Sequence, residues 1–198
     1  MRVIAITGGI ASGKTTVLNH LKALGAACID ADAISRTLTA PGGAALPAIR
    51  QAFGQGVFQQ DGALNRRALG ALVFGDGEAR GRLNAIVHPL VRAEMERQLR
   101  RLRLQGERVA VLDVPLLYES GMETLADEVW LVAVPAEVQL QRLMARDGYT
   151  REEALARIHS QMPLEQKRAR ADLVIDTDLP LQVLYERLTA LWEEVNRP

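Results

Sequence analysis

Residues 8–15, Gly-Gly-Ile-Ala-Ser-Gly-Lys-Thr, constrain this chain more than any other stretch, because they fit the phosphate-loop pattern G-x-x-x-x-G-K-[ST]. The β-branched, apolar residues 3–6 predict a buried strand before the pattern, and apolar residues at helical spacing predict a helix after it (Val17, Leu18, Leu21 and Leu24). Such a turn directs backbone N–H groups at one anion, and the helix start adds partial positive charge. We therefore predict a nucleotide site, with Lys14 at the β- and γ-phosphates and the Thr15 hydroxyl on Mg²⁺. The alternative is a glycine-rich turn with one exposed lysine.

The composition is that of a globular protein with a balanced charge. A chain of 198 residues suits one α/β domain with an insertion, and 48% hydrophobic residues predict a sizeable core. Lys and Arg together number 24, as do Asp and Glu, so no overall field points to a nucleic-acid or membrane partner. The single cysteine, Cys28, excludes an internal disulfide and lies in an apolar run, where we expect a small buried side chain. Without a signal peptide or a membrane-spanning run, we expect a cytoplasmic protein.

Five apolar runs predict the strands of one sheet. They are continuously apolar rather than alternating, as is typical of parallel strands covered on both faces. Helical patterns lie between most of them, which indicates a doubly wound α/β fold with a five-stranded parallel sheet. The runs lie at residues 3–6, 26–29, 109–114, 129–134 and 173–175.

The interval between the second and third runs is far longer than one crossover requires. It contains the turn signals Pro41-Gly42-Gly43 and Gln60-Asp61-Gly62 and several helical stretches, the clearest of which uses Val91, Met95, Leu99 and Leu102. We interpret residues 40–105 as a helical substrate-binding insertion in a nucleotide-binding core formed by residues 1–39 and 106–198.

A helix predicted from residue 136 carries Arg142 and Arg146 at i and i+4, hence on one face. Charge-rich sequence follows as far as residue 171, so we predict a mobile helical lid over about residues 142–171. The two guanidinium groups suit a transferring phosphoryl group, although a solvated helix face is the plain alternative. A last helix, with leucines and a valine three or four residues apart, is predicted to pack on the sheet (Leu181, Leu184, Leu188, Leu191 and Val195).

Acidic residues follow two of the predicted strands. Asp30 and Asp32 stand at the carboxyl end of the second, where ligands bind in open α/β sheets, and in an extended segment both side chains would point to one side. Asp32 could take a proton from an attacking hydroxyl or position it, and either residue could instead cap a helix. Asp113 ends the third strand, where phosphate-loop enzymes hold Mg²⁺, although strand-end aspartates are often structural.

The three histidines give weaker signals. We expect His20 to be exposed on the helix after the loop, and His159 has no evident partner. His88 precedes Pro89 at a predicted helix start, where capping or packing explains it as well as substrate contact does. No Cys/His cluster has the spacing of a zinc site.

Taken together, these motifs resemble the dephospho-CoA kinase family, which phosphorylates the ribose 3′-hydroxyl of dephospho-CoA. The resemblance runs over nearly the whole chain in the right order. The matching pieces are Thr7-Gly8-Gly9-Ile10, Ile29-Asp30-Ala31-Asp32 with Arg36, Pro41-Gly42, Leu64-Asn65-Arg66 with Leu69 and Phe74, His88-Pro89, Asp113-Val114-Pro115-Leu116-Leu117 with Glu119, Gln141-Arg142, and Arg146-Asp147.

The resemblance implies an adenylate-kinase-like parallel sheet, ATP at residues 11–16, dephospho-CoA in the helical insertion, and Mg²⁺ as cofactor. By the same resemblance Asp32 is the base, and Lys14 and Arg142 are catalytic. The residues implied at the nucleotide are Gly9, Ile10, Ala11, Ser12, Gly13, Lys14, Thr15, Thr16 and Arg146. Those implied at the acceptor are Thr7, Asp32, Arg36, Arg66, His88, Leu117 and Glu119, and those at the metal are Thr15 and Asp113.

Two positions depart from the family pattern. Ala11 replaces a usual glycine, and since alanine disfavours a strongly positive φ, we expect an α- or β-like backbone there. Asp176-Thr177-Asp178 replaces the usual Asn-x-Gly that lies by the adenine in the family.

Two other functions stay open at this point. One is a phosphate-loop kinase of a nucleoside or small alcohol, although the long insertion favours a large acceptor. The other is a nucleotide-dependent switch or assembly ATPase. Against that reading, the sequence lacks both a guanine-specific Asn-Lys-x-Asp motif and the signature of transporter ATPases.

Overall fold

The computed structural model describes residues 1–197. It contains one five-stranded sheet in the order β2-β3-β1-β4-β5, which confirms the predicted five-stranded parallel α/β architecture. All five strands lie within two residues of the predicted bounds, because each is a continuous apolar run. The strands are β1 (Arg2–Gly8), β2 (Ala27–Asp30), β3 (Val109–Asp113), β4 (Glu128–Ala133) and β5 (Leu173–Asp176).

Nine α-helices accompany the sheet within residues 1–197, together with short 3₁₀ turns at Gln55–Val57 and Met122–Leu125. None of these helices combines the length and apolarity that crossing a bilayer requires. The helices are α1 (Lys14–Ala23), α2 (Ala31–Leu38), α3 (Leu46–Phe53), α4 (Arg66–Gly75), α5 (Gly77–Leu104), α6 (Ala136–Asp147), α7 (Arg151–His159), α8 (Leu164–Arg168) and α9 (Leu181–Val195).

The described residues form two compact units, and the first comprises residues 1–29 and 99–197. In β1, Ile4 and Ile6 pack in one cluster with apolar side chains of α1 and α9, while Val3 and Ala5, which point to the opposite face, are buried as well. Burial on both faces is why the strand reads as continuously apolar. This core holds β1 and α1 in place on either side of the phosphate-loop motif.

The second unit comprises residues 30–98, and it has an apolar core of its own. This unit begins and ends earlier in the chain than the insertion predicted at residues 40–105. The bounds and the substrate-binding role of that insertion therefore stay a prediction. The core residues of this unit come from α3, α4 and the segment that joins them (Ala45, Ile49, Val57, Phe58, Leu64 and Leu69).

The expected helix start at His88 and Pro89 is wrong, because both residues lie inside α5. The helix begins instead after Asp76, whose carboxylate accepts hydrogen bonds from the N–H groups of Glu78 (2.8 Å) and Ala79 (3.1 Å). These bonds satisfy donors that the first helical turn leaves free. Pro89 has no backbone N–H to donate, but α5 continues through it, so this proline does not mark the start of the helix.

The expectation that His20 is exposed is also wrong. Its ring is half-buried and stacks on Tyr185 of α9, with the ring centroids 4.2 Å apart and the planes within 4°. Its Nε2 atom lies 3.0 Å from the Thr189 hydroxyl. Aromatic stacking of this kind joins α1 to the last helix of the chain.

Candidate active site

The phosphate-loop motif forms the turn between β1 and α1, as the sequence predicts. β1 ends at Gly8, and Gly13 immediately precedes the helix with φ at +86°, a left-handed conformation that glycine adopts without steric cost. The Ser12 N–H donates to the Gly9 carbonyl at 3.1 Å, and the Thr16 N–H to the Gly13 carbonyl at 3.0 Å. The loop is therefore a compact, internally bonded turn that ends in a helix N-terminus.

Ala11 corrects one expectation, since its φ is +58° and its backbone is left-handed rather than α- or β-like. A left-handed conformation brings Cβ close to the following carbonyl oxygen and costs an L-residue about 1–2 kcal/mol. Ala11 is the only residue other than glycine with a positive φ among residues 1–197. Such strain persists only where neighbouring contacts determine the backbone.

Two glutamine side chains supply contacts of this kind at Ile10. The Gln161 side-chain oxygen accepts from the Ile10 N–H at 3.0 Å, and the Gln139 side-chain NH₂ donates to the Ile10 carbonyl at 2.8 Å. A Cβ on Gly9 would lie 2.5 Å from the Gln139 Nε2 atom, so the glycine leaves room for this amide. Sequence reasoning missed both glutamines, because a lone glutamine carries no motif.

Thr177 makes a second contact with the loop from the end of β5. Its hydroxyl donates to the Ser12 carbonyl at 2.6 Å, and a Cβ on Gly13 would lie 2.9 Å from the same Oγ1 atom. Ser12 is buried, and its own hydroxyl has no hydrogen-bond partner among the described residues. The segment in which Asp176 and Asp178 depart from the family pattern therefore contacts the phosphate loop through the residue between them, Thr177.

Arg142 and Arg146, predicted as a pair on one face of α6, have different partners. Arg142 donates to the Thr177 hydroxyl (3.2 Å) and carbonyl (3.0 Å) and lies 3.8 Å from the Asp178 carboxylate. Arg146 donates to both carboxylate oxygens of the adjacent Asp147 at 2.9 Å, and these contacts raise the Arg146 pKa. Arg142 is thus held beside the loop through Thr177, whereas Arg146 is engaged with its own neighbour.

Lys14 and Asp113 form an ion pair between the start of α1 and the end of β3. Both side chains are largely buried, at 16% and 13% exposed. Thr15, which follows Lys14 in the first helical turn, is exposed. The carboxylate of Asp113 and the hydroxyl of Thr15 are hard oxygen donors of the kind that Mg²⁺ prefers, so these residues fit the ion.

Among residues 1–197, no three Asp, Glu, His or Cys side chains lie close enough together to bind a metal ion by themselves. Magnesium at phosphate-transfer sites commonly takes one or two protein ligands and the remainder from phosphates and water. The two predicted ligands, Thr15 and Asp113, remain the candidates for such an ion.

Glu119, expected at the acceptor, is bonded within the first unit. Its Oε1 atom accepts from Lys167 Nζ at 2.9 Å and from the Met162 N–H at 3.0 Å. Burial raises the pKa of Glu119, but these hydrogen bonds outweigh burial and bring it below its ordinary value. Lys167 is fully buried and also donates to the Pro115 carbonyl at 3.4 Å, a location that its charge-rich sequence gave no reason to expect.

Thr7 and Leu117, also expected at the acceptor, are fully buried. The Thr7 hydroxyl donates to the Pro115 carbonyl at 3.0 Å. Direct contact of either side chain with a ligand would require its surroundings to open, and their assignment stays a prediction.

The remaining predicted acceptor residues lie in the second unit. β2 ends at Asp30, and Asp32 is an exposed residue in the first turn of α2, so the expectation that both aspartates point to one side of an extended segment is wrong. Asp30 caps this helix by accepting from the Ala33 N–H at 2.8 Å. The role of Asp32 as the base stays a prediction.

Two arginines and a histidine complete that set. Arg36 lies 3.7 Å from the Asp30 carboxylate, and Arg66 donates to the Arg36 carbonyl (3.2 Å) and to the Thr39 hydroxyl (2.9 Å). His88 is half-buried, and burial lowers its pKa, which favours the neutral ring. Asp30, Arg36, Thr39 and Arg66 thus form a connected polar group that runs along α2 from its N-cap, Asp30, to its C-cap, Thr39.

A parallel sheet with a phosphate loop after its first strand, a lysine opening the next helix and an acid ending a neighbouring strand defines a nucleotide-binding protein of the phosphate-loop class. Comparison with known proteins narrows this class. The family model for dephospho-CoA kinase matches residues 2–182, so the chain belongs to the dephospho-CoA kinase family.

Relatives agree with this membership. The chain is 51% identical to dephospho-CoA kinase of Symbiobacterium thermophilum over 192 residues, covering 97% of this chain and 80% of that protein. It is 47% identical to dephospho-CoA kinase of Geobacter sulfurreducens, covering 97% and 98%. The solved structure of dephospho-CoA kinase from Campylobacter jejuni is 29% identical, with a TM-score of 0.75 and coverage of 99% and 98%.

Family membership identifies the activity as that of a dephospho-CoA kinase. It decides against a kinase of a nucleoside or small alcohol and against a nucleotide-dependent switch or ATPase. The protein is a phosphotransferase that phosphorylates dephospho-CoA to give coenzyme A, with a nucleotide as phosphoryl donor.

Proposed function

We propose that this kinase transfers the γ-phosphoryl group of ATP to the ribose 3′-hydroxyl of dephospho-CoA at the residues 8–15 loop, with Mg²⁺ as cofactor. The observation that carries the proposal is the Lys14–Asp113 ion pair at the mouth of this loop. It brings together the cation that would lie against the β- and γ-phosphates and the acid that would hold the metal.

The loop supports the proposal through its backbone. The first N–H groups of α1 have no acceptor within the helix and carry the positive end of its dipole. The left-handed backbone at Ala11 and Gly13 turns the chain sharply ahead of that helix. Successive amides in such a turn form an anion-binding concavity, which suits a triphosphate.

Thr15 and Asp113 would hold the magnesium ion, which when bound would neutralise charge on the β- and γ-phosphate oxygens. Lys14 would then bind phosphate oxygens and Asp113 would bind the metal ion, so the two side chains would no longer pair with each other. This exchange needs only side-chain rotation around Lys14.

In the transfer itself, the acceptor oxygen bonds to the γ-phosphorus, the bond from that phosphorus to the β-γ bridging oxygen breaks, and ADP leaves with the released electron pair. Asp32 would accept the proton of the 3′-hydroxyl, since it is exposed while Asp30 is committed to its helix cap. Arg142 would stabilise charge on the transferring group. Arg36, Arg66 and His88 would bind the acceptor, and their polarity suits its phosphates.

Small-molecule partners suffice for this reaction, and we propose a cytoplasmic location for the enzyme. The chain's Lys plus Arg and Asp plus Glu counts balance at 24 each, so nothing in its charge calls for a nucleic-acid or membrane partner.

ADP release measured with and without dephospho-CoA tests the proposal. We expect rapid release only with the acceptor present, together with ATP and Mg²⁺, and a phosphate at the 3′ position of the product by mass spectrometry and NMR. Release that is equally fast without acceptor would identify an ATPase. Product phosphorylated at another position would contradict the assignment of the hydroxyl.

A further inference from the structure

Both backbone polar groups of Ile10, its N–H and its carbonyl, are held by side chains that come from far along the chain. Gln161, between α7 and α8, accepts from its N–H at 3.0 Å, and Gln139, on α6, donates to its carbonyl at 2.8 Å. Both contacts are of ordinary hydrogen-bond length. Neither glutamine belongs to the phosphate-loop motif.

Ala11, which follows Ile10, has a strained backbone conformation. Ala11 has a φ of +58°, and its neighbour Ser12 is fixed by its N–H bond to Gly9 and by the Thr177 hydroxyl on its carbonyl. With Ile10 fixed on one side and Ser12 on the other, Ala11 has little freedom to relax towards a negative φ. The two glutamines therefore help to keep the loop in the strained shape that its anion-binding turn requires.

Gln161 is itself held in place by a buried ion pair. The next residue, Met162, donates its N–H to Glu119, and Glu119 accepts from the fully buried Lys167 at 2.9 Å. Burying a lysine is costly unless it is paired and hydrogen-bonded, and here it has the Glu119 carboxylate and the Pro115 carbonyl. The pair ties α8 to the segment after β3, and the Met162 bond to the same carboxylate ties the segment before α8, which fixes where Gln161 can reach.

We infer that Gln161 is a positioning residue for the phosphate loop, and that the Glu119–Lys167 ion pair holds it there. This inference rests on the proposed nucleotide site. It assigns Gln161 no contact with substrate, since Gln161 acts by holding the Ile10 N–H and thereby the backbone that leads into the following amides. It also gives Glu119 a role on the nucleotide side of the reaction instead of the acceptor side.

Gln161→Met tests the inference, because methionine keeps the side-chain length and lacks the amide oxygen. We expect ADP with Mg²⁺ to bind about 3- to 10-fold more weakly by calorimetry, the net effect of one neutral hydrogen bond. We also expect the KM for dephospho-CoA to be unchanged. Gln166→Met is the matched control, since Gln166 is exposed on α8.

The outcomes distinguish an error in the proposed nucleotide site from an error in the positioning role of Gln161. If the wild-type protein itself fails to bind ADP, the proposed nucleotide site is wrong. If the wild-type protein binds ADP and Gln161→Met binds it as tightly as Gln166→Met does, the positioning role is overturned. Should Gln161→Met not fold, Gln161→Asn, one methylene too short to reach Ile10, gives the same comparison.

Glu119→Gln tests the supporting ion pair. We expect a several-fold loss of ADP affinity in the same direction as for Gln161→Met, with the KM for dephospho-CoA unchanged. A raised KM for dephospho-CoA with unchanged ADP affinity would place Glu119 at the acceptor and overturn its role in holding Gln161.

Discussion

The hydroxyl of Thr177 donates a 2.6 Å hydrogen bond to the carbonyl of Ser12, which lies 165 positions earlier in the chain. Arg142 donates to both the hydroxyl and the carbonyl of Thr177. The arginine therefore has two conceivable routes to catalysis. It can act on the transferring phosphoryl group directly, or it can act on the loop through Thr177.

We expect Arg142→Ala to lower kcat more than it lowers ATP affinity, because its guanidinium meets charge that develops in the transition state. Steady-state kinetics with a separate ATP-binding measurement checks this. Thr177→Val, which removes the hydroxyl and keeps the shape, is the comparison. If the two variants lose kcat equally, Arg142 acts through Thr177, and an unchanged kcat for Arg142→Ala removes it from the transition state.

Lys14→Ala is expected to lower kcat by about 10²–10³-fold or more, since it removes the cation aimed at the β- and γ-phosphates. The rate of coenzyme A formation at saturating substrates measures the effect. Lys22→Ala, at an exposed position of the same helix, serves as the control and should have little effect. Normal turnover by Lys14→Ala would refute the assignment of the phosphate loop.

Asp32→Asn is expected to slow the chemical step by about 10²–10⁴-fold if Asp32 takes the proton of the 3′-hydroxyl. Single-turnover measurements isolate that step. Asp61→Asn is a suitable control in the same unit, because Asn keeps the side-chain oxygen that caps Ala63. A mild loss with a raised KM for the acceptor would instead identify Asp32 as a residue that positions the hydroxyl.

Ala11→Val should lower the free energy of unfolding by about 1–3 kcal/mol, because a β-branched residue is poorly accommodated at a φ of +58°. Ala11→Gly should stay within about 1 kcal/mol of the wild-type protein, since relief of strain and greater freedom of the unfolded chain oppose each other. Urea unfolding monitored by circular dichroism compares the two. Equal stabilities would mean that the backbone at position 11 is not left-handed in solution.

Glu119 should make folding depend on pH in the acidic range. Its folded pKa lies below its ordinary value of 4.5, so its ionised form favours the folded state. That contribution is complete above pH 4.5 and is lost as the pH falls through the lower folded value. Melting temperatures measured between about pH 7 and pH 3 should therefore fall more steeply for the wild-type protein than for Glu119→Gln. Parallel curves would contradict the pairing with Lys167.

The fold could be predicted from the sequence because its signals are local and repeated. Each strand is a run of apolar residues, and the loop between β1 and α1 is a recognised pattern, so neither depends on distant contacts. His88 and Pro89 show where local signals mislead. Proline favours the first turn of a helix, but the Asp76 carboxylate fixes this helix's start further upstream.

The contacts around the loop could not be predicted in the same way. Gln139 and Gln161 act through single amide groups, and Thr177 acts through one hydroxyl, so each is meaningful only when the fold brings it to the loop. Lys167 lies in a charged stretch that reads as exposed, and its complete burial follows from pairing with Glu119. The positive φ of Ala11 likewise depends on neighbours that the sequence does not reveal.

The stacking of His20 on Tyr185, together with the bond from Thr177 to Ser12, has a consequence for synthesis. The residues of the nucleotide loop leave the ribosome long before Thr177, whose side chain bonds to the loop, is translated. A nascent chain can therefore pair β1 only after β3 and β4 have emerged, and the contact of the loop with Thr177 forms later still. A chain that ends before Thr177 would therefore lack this support of the phosphate loop, however complete its first strands are.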